Sequence, residues 1–313
     1  MNHLNQKRVA ITGMGAICGL GHSLPEVWEK LAAGQSGISC IEQINTADLP
    51  IKIAGEVKNF TIAENIIAAK DQDKFDRFIH LALHSAHEAI ADAGLLDPAT
   101  RPYPADRVGV ILGVGMGGFP FIEKYHQVFL EKGARRVTPF FIPSVIPNMP
   151  SGLISINYGM KGINYSISSA CASASHAIST AAMEILNGTH DVIISGGAES
   201  VICNLPISGF ASMKALSRRN EEPQKASRPF DVGRDGFVMG EGSGILVLEN
   251  YEKAKARGAK IYAEIVGFGS TADAFHITAP HPEGEGAALC MKKSLESAGL
   301  PPEAIGYINA HGT

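Results

Sequence analysis

Short apolar runs rich in β-branched residues alternate along this chain with longer stretches of helical spacing, and no other feature restricts the fold as much. The runs are Arg8 to Thr12, Val108 to Leu112, Val192 to Ser195, Ile245 to Leu248, Ile261 to Val266 and Ile305 to Asn309. Each is short and apolar on both faces, the pattern of a strand buried between helices. Between them Lys74 to Ala93 and Cys171 to Asn187 have helical spacing. Each closes on a glycine, Gly94 and Gly188, as a helix end that needs a left-handed residue does. Tyr251 to Lys260 reads as a charged helix. The class is α/β with layered helices.

With 313 residues, 45% of them hydrophobic, the chain can bury a large core as one big domain or two fused halves. Lys and Arg number 27 against 31 Asp and Glu, a net charge of -4, which gives no global reason to expect a nucleic-acid partner. The five cysteines, Cys18, Cys40, Cys171, Cys203 and Cys290, are odd in number and spread out without CxxC pairing. That argues against a disulfide framework or a zinc site and for a reducing, cytoplasmic setting. Met1 to Lys7 is polar and no apolar run of about 18 residues occurs, so neither export nor membrane insertion is expected. The sequence stops at His311-Gly312-Thr313 directly after an apolar run, and a strand so apolar needs covering on both faces. Further residues are therefore expected beyond Thr313.

The most informative stretch is Tyr165-Ser166-Ile167-Ser168-Ser169-Ala170-Cys171-Ala172-Ser173-Ala174-Ser175-His176, a β-prone run that passes into small residues at helical spacing. Cys171 is placed at a strand-to-helix turn. Free N–H groups at a helix start favour thiolate over thiol and can hold an oxyanion during acyl transfer. Small neighbours leave room for a thioester. A lone cysteine is more often a buried, inert thiol, so the assignment depends on its surroundings.

Those surroundings are specific. Ser169-Ala170-Cys171, then Gly196-Gly197-Ala198-Glu199, Ala226-Ser227-Arg228-Pro229-Phe230-Asp231, Arg234-Asp235-Gly236-Phe237 and Asn309-Ala310-His311-Gly312-Thr313 resemble the β-ketoacyl-acyl-carrier-protein synthases, synthase II most of all. The resemblance runs from Thr12-Gly13-Met14-Gly15 to the last residue. It implies the thiolase fold, layered α-β-α-β-α from two pseudo-twofold halves. Residues 1–250 would be the half with the nucleophile and 251–313 the start of an incomplete second half. It implies an acyltransferase that lengthens a fatty acyl chain by decarboxylative condensation with malonyl-carrier, without cofactor or metal, as a homodimer.

By the same resemblance Cys171 accepts the acyl group and His311 stabilises the enolate. Thr313 bonds the phosphopantetheine arm, and Met116, Phe210 and Phe237 line the acyl channel. Acyl carrier protein is strongly acidic, so exposed cations are expected at the entrance: Lys70, Lys74, Lys132, Arg135, Arg136 and Arg218. The family's second histidine, its lysine and its gating phenylalanine have no counterpart among these residues. Competing readings are a polyketide-type ketosynthase and a non-catalytic partner subunit of the chain-length-factor kind. The presence of Cys171 speaks against the latter.

Other motifs are weaker. His80, His84 and His87 share a helical face, but no carboxylate or cysteine completes a ligand set, and packing is the expected role. His176 lies about a turn and a half into the Cys171 helix and is left out of catalysis. Gly13-Met14-Gly15 lacks the third glycine in register and the acidic partner of a dinucleotide site, and the resemblance implies that Gly113 to Gly118 is wall of the acyl pocket. Gly196-Gly197 reads as a tight turn that allows close packing.

Overall fold

The computed structural model describes residues 7–313. Residues 1–6, part of the polar stretch read against an export signal, lie outside the described residues. The strands are β1 (Val9–Cys18), β2 (Ser39–Cys40), β3 (Ile53–Ala54), β4 (Val108–Gly113), β5 (Asn164–Ile167), β6 (Val192–Glu199), β7 (Gly242–Asn250) and β8 (Ala263–Ile265). The helices are α1 (Leu24–Ala32), α2 (Ala69–Gln72), α3 (Arg77–Asp92), α4 (Phe119–Lys132), α5 (Phe141–Val145), α6 (Met149–Tyr158), α7 (Ser173–Asn187), α8 (Asn204–Ser212), α9 (Tyr251–Ala256) and α10 (Glu285–Ala298). Among the described residues one sheet has six strands in the order β5-β4-β6-β7-β1-β8. β4 runs parallel to β5 and β6, whereas β6, β7, β1 and β8 follow one another antiparallel.

The period of two along each strand sorts side chains onto two helical layers. Val108, Val110 and Leu112 of β4, with Val192 and Ile194 of β6, share one apolar cluster with Phe78, Ile79, Leu83 and Ile90 of α3 and Ile154 and Tyr158 of α6. The alternate residues Ile111, Ile193 and Leu248 pack on Ala177, Ala181 and Ile185 of α7. Both faces of the strands are thus covered, which is why their sequences are apolar throughout rather than alternating.

Glycines bring the helices against the sheet. A Cβ at Gly13 would stand 2.2 Å from the Ala89 carbonyl oxygen and one at Gly15 2.1 Å from that of Ser85, so these residues let α3 cross β1. At Gly113 a Cβ would stand 2.2 Å from the Ser173 carbonyl carbon, where α7 begins. The two glycine motifs that resembled a nucleotide loop are packing devices. Gly196 and Gly197 lie inside β6 rather than in a turn after it. The close-packing role holds: Gly196 has φ +139, and a Cβ there would stand 2.1 Å from the Gly244 carbonyl oxygen on β7.

Other boundaries move for local reasons. α3 begins at Arg77 rather than Lys74, because the Asp76 carboxylate accepts the Phe78 N–H at 3.3 Å and caps the helix there. α7 begins at Ser173, two residues beyond Cys171. The run Ile305 to Asn309 is not a strand. No neighbouring strand is available to its backbone among the described residues, and Tyr307 is 82% exposed. After β8 the chain passes under α10, where a Cβ at Gly269 would stand 2.3 Å from the Cys290 carbonyl oxygen.

Candidate active site

Cys171 occupies the turn between β5 and α7 and is exposed. Ala170, just before it, has φ +51, a left-handed conformation that costs a residue with a Cβ roughly 1–2 kcal/mol. Such strain persists where surrounding bonds hold it, and functional turns are the usual place. Here Ser173 Oγ donates to the Ala170 carbonyl at 2.6 Å and accepts the Ser169 N–H at 2.9 Å. Ser169 Oγ and His176 Nδ1 share a hydrogen bond of 2.7 Å, so His176 ties the turn back to its own helix. No side chain caps α7, and its open first turn lies directly beyond Cys171.

Behind this turn runs the loop from Gly113 to Gly118, bonded to it on one side and to a carboxylate on the other. Val114 N–H donates to the Ile167 carbonyl at 3.1 Å and Ser168 Oγ to the Gly115 carbonyl at 3.1 Å. The Glu199 carboxylate accepts the N–H groups of Gly115, Met116 and Gly117 at 2.9, 2.8 and 3.1 Å. Burial holds Glu199 above the usual carboxylate range, and these three bonds offset part of that effect. Sequence reasoning quoted Glu199 within a motif but gave it no role. The available signal was an acid placed at the end of a buried strand.

Met116, Phe210 and Phe237 all pack, partly buried, against the apolar cluster of Ile202, Ile207, Ala211 and Leu216. The rings of Phe210 and Phe237 meet edge to face at 5.3 Å between centroids. Phe237 also lines a cleft of about 480 Å³ together with Lys214, Arg228, Gly312 and Thr313. Gly312 rests against Pro229, where a Cβ on the glycine would stand 3.3 Å from Cβ of the proline. The terminal tripeptide is thereby placed beside the loop that leads to Phe237. His311 is exposed, and among the described residues no hydrogen bond joins it to Cys171.

Lys70, Lys132, Arg135, Arg136 and Arg218 are exposed and form no ion pair among the described residues. Lys132 and Arg136 line a cleft on α4 together with Lys124, Tyr125 and Val128. Lys74 differs: it is paired with Asp71 and stands 4.8 Å from the centroid of the Phe140 ring. The three helical histidines are engaged one by one. His80 Nε2 meets the Gln72 carbonyl, His84 Nε2 the His22 carbonyl, and His87 Nδ1 the Tyr158 hydroxyl.

Residues 6–254 match the family described as Beta-ketoacyl synthase, N-terminal domain, and residues 262–313 match Beta-ketoacyl synthase, C-terminal domain. A Vibrio cholerae protein named 3-oxoacyl-acyl-carrier-protein synthase 2 is 48% identical over 310 residues, which is 99% of this chain and 74% of that protein. The protein of the same name from Coxiella burnetii is 47% identical over the same shares. A crystal structure of a β-ketoacyl synthase from Burkholderia phymatum matches with a TM-score of 0.88 at 36% identity, over 98% of this chain and 74% of that one. A ketosynthase bound to the hexaketide, in complex with its type II PKS acyl-carrier protein, matches with a TM-score of 0.83 at 30% identity, over 98% of this chain and 73% of that one.

The fold and the family matches together define a condensing acyltransferase of the thiolase fold. The chain belongs to the β-ketoacyl synthase family.

Proposed function

We propose that this protein is a 3-oxoacyl-acyl-carrier-protein synthase of fatty acid elongation and that Cys171 carries the growing chain. The observation that carries the reading is the strained turn at Ala170, which presents an exposed Cys171 at the uncapped start of α7. The identity of about 47% to proteins named synthase 2, against 30% to the PKS ketosynthase, favours fatty acyl over polyketide substrates.

The Cys171 thiolate attacks the acyl-carrier thioester, forms acyl-Cys171 and expels the carrier thiol. Malonyl-carrier then enters. Loss of carbon dioxide breaks the carboxylate bond of the malonyl group and leaves its electron pair as an enolate on the thioester. His311 donates an N–H to that oxygen without changing charge. The enolate carbon attacks acyl-Cys171, the new carbon–carbon bond forms, and the thiolate leaves. The product is a β-ketoacyl-carrier two carbons longer.

Met116, Phe210 and Phe237 are assigned to the acyl channel on the strength of their common apolar cluster, and Thr313 to the pantetheine arm from its place in the cleft with Phe237. The acidic carrier would dock on Lys132, Arg135 and Arg136 beside the α4 cleft, with Lys70 and Arg218, while Lys74 must exchange Asp71 for the carrier. We divide the chain at 250/251 into a nucleophile-bearing half and the start of a second. We also take the protein to be a cytoplasmic homodimer. Its five cysteines are free thiols, and among the described residues no helix is long and apolar enough to cross a membrane. β5 is an edge strand on which a second copy could pair. Incubation of the intact protein with myristoyl-carrier and malonyl-carrier tests the reading. It should release carbon dioxide and a β-ketoacyl-carrier; acceptance of the malonyl unit with no use of fatty acyl carriers would refute it.

A further inference from the structure

The loop between β4 and α4 has no helical or strand bonds of its own, yet it carries Met116 and packs against the turn that presents Cys171. Its backbone donors are partly buried and need acceptors. Three consecutive ones, from Gly115, Met116 and Gly117, converge on the single carboxylate of Glu199 at 2.9, 2.8 and 3.1 Å. An ionised carboxylate is suited to this, being an acceptor at both oxygens and forming stronger bonds to N–H groups than a neutral acceptor does.

The opposite side of the loop is equally confined. A Cβ at Gly115 would stand 2.8 Å from Glu199 Oε2 and 3.4 Å from the Ala170 carbonyl oxygen, so the glycine is held between the carboxylate and the nucleophile turn. Beyond the loop, the Phe121 N–H in the first turn of α4 donates to Asp76 at 2.8 Å. Two acids from different elements thus fix the two ends of one short segment.

We propose that Glu199 is a positioning residue that sets the depth of the acyl pocket. It holds the Met116 backbone at a fixed distance from the Cys171 turn. The inference rests on the reading of Met116 as a pocket wall, and the two can fail separately. In Glu199→Gln one carboxylate oxygen becomes an NH2 group, which cannot accept. At least one of the three N–H groups then loses its partner, and the loop shifts.

The test measures kcat/KM of the intact protein for hexanoyl-, decanoyl- and hexadecanoyl-carrier in wild type, Glu199→Gln and Met116→Phe. Amide hydrogen exchange at Gly115, Met116 and Gly117 is followed in the same variants. Glu199→Gln should accelerate exchange at those amides and change the hexadecanoyl-to-hexanoyl ratio about tenfold, the scale of one unsatisfied buried donor. A purely structural role would lower all three rates in proportion. That outcome, or an unchanged ratio, overturns the inference while a shifted profile in Met116→Phe leaves the pocket reading standing. An unchanged profile in Met116→Phe removes the pocket reading, and the inference with it. Should Glu199→Gln not fold, Glu199→Asp keeps both acceptor oxygens on a shorter arm and is held to the same ratio.

Discussion

At the scale of single residues the proposed function assigns separate steps to two side chains, Cys171 and His311. Cys171 takes its setting from the turn, where Ala170 at φ +51 and the Ser173 hydroxyl fix the backbone. Cys203 shows what a structural thiol looks like in the same protein: it is buried, and burial and then Glu123 push its thiol far above the usual range. Under the proposed function His311 is assigned to the enolate step instead. In the intact protein, His311→Ala should abolish decarboxylation of malonyl-carrier and leave transfer of the acyl group to Cys171 within a few-fold of wild type. Stopped-flow carbon dioxide release and mass analysis of the acyl-enzyme read the two steps independently. Equal loss of both in a well-folded variant would assign the histidine to the thiolate as well.

At the scale of elements the important device is Asp76, which caps α3 through Phe78 and also binds the first turn of α4 through Phe121. Burial pushes its carboxyl up to about 7 from an ordinary 3.8, against the pull of these N–H bonds and with help from the charge of Glu199. The sign follows from where the proton is held. Between about pH 4 and about pH 7 the folded chain retains a proton that the unfolded chain has lost. The contribution is therefore full below about pH 4, declines as pH rises and is gone above about pH 7. Asp76→Asn cannot titrate. Its stability relative to wild type should rise from acid to neutral pH by an amount on the order of a few kcal/mol. Urea unfolding of both proteins across that range measures the gap. A gap independent of pH would mean that Asp76 is ionised throughout.

At the scale of the whole molecule one buried network ties the sheet to its surroundings. Glu249 on β7 is fully buried and accepts from the Tyr103 hydroxyl at 2.6 Å, from both ends of the Arg257 guanidinium and from Thr12 on β1. Glu249→Ala would strand Arg257, whose side chain is 17% exposed, and should cost about 3 to 5 kcal/mol in denaturant unfolding. A loss below about 1 kcal/mol would show that water replaces the carboxylate without strain. Nothing in the local pattern marks such a network, since Thr12 and Tyr103 lie far from Glu249 in sequence. Legible in the sequence were the strands Val108 to Leu112 and Val192 to Ser195, because covering on both faces makes a strand apolar throughout. Legible too was the Cys171 turn, through its run of small residues. Ile305 to Asn309 misled because apolarity signals a strand only where a partner strand exists. Glu199 stayed without a role because its donors lie about eighty residues earlier. The central claim, that Cys171 carries the acyl chain, is tested most directly by incubating the intact protein with acyl-carrier and mapping the adduct by peptide mass analysis, beside condensation assays of Cys171→Ala. The account predicts one acyl group, on the Cys171 peptide, and no condensation in the variant. An adduct on another residue such as the exposed Cys40, or a variant that still elongates, would contradict it.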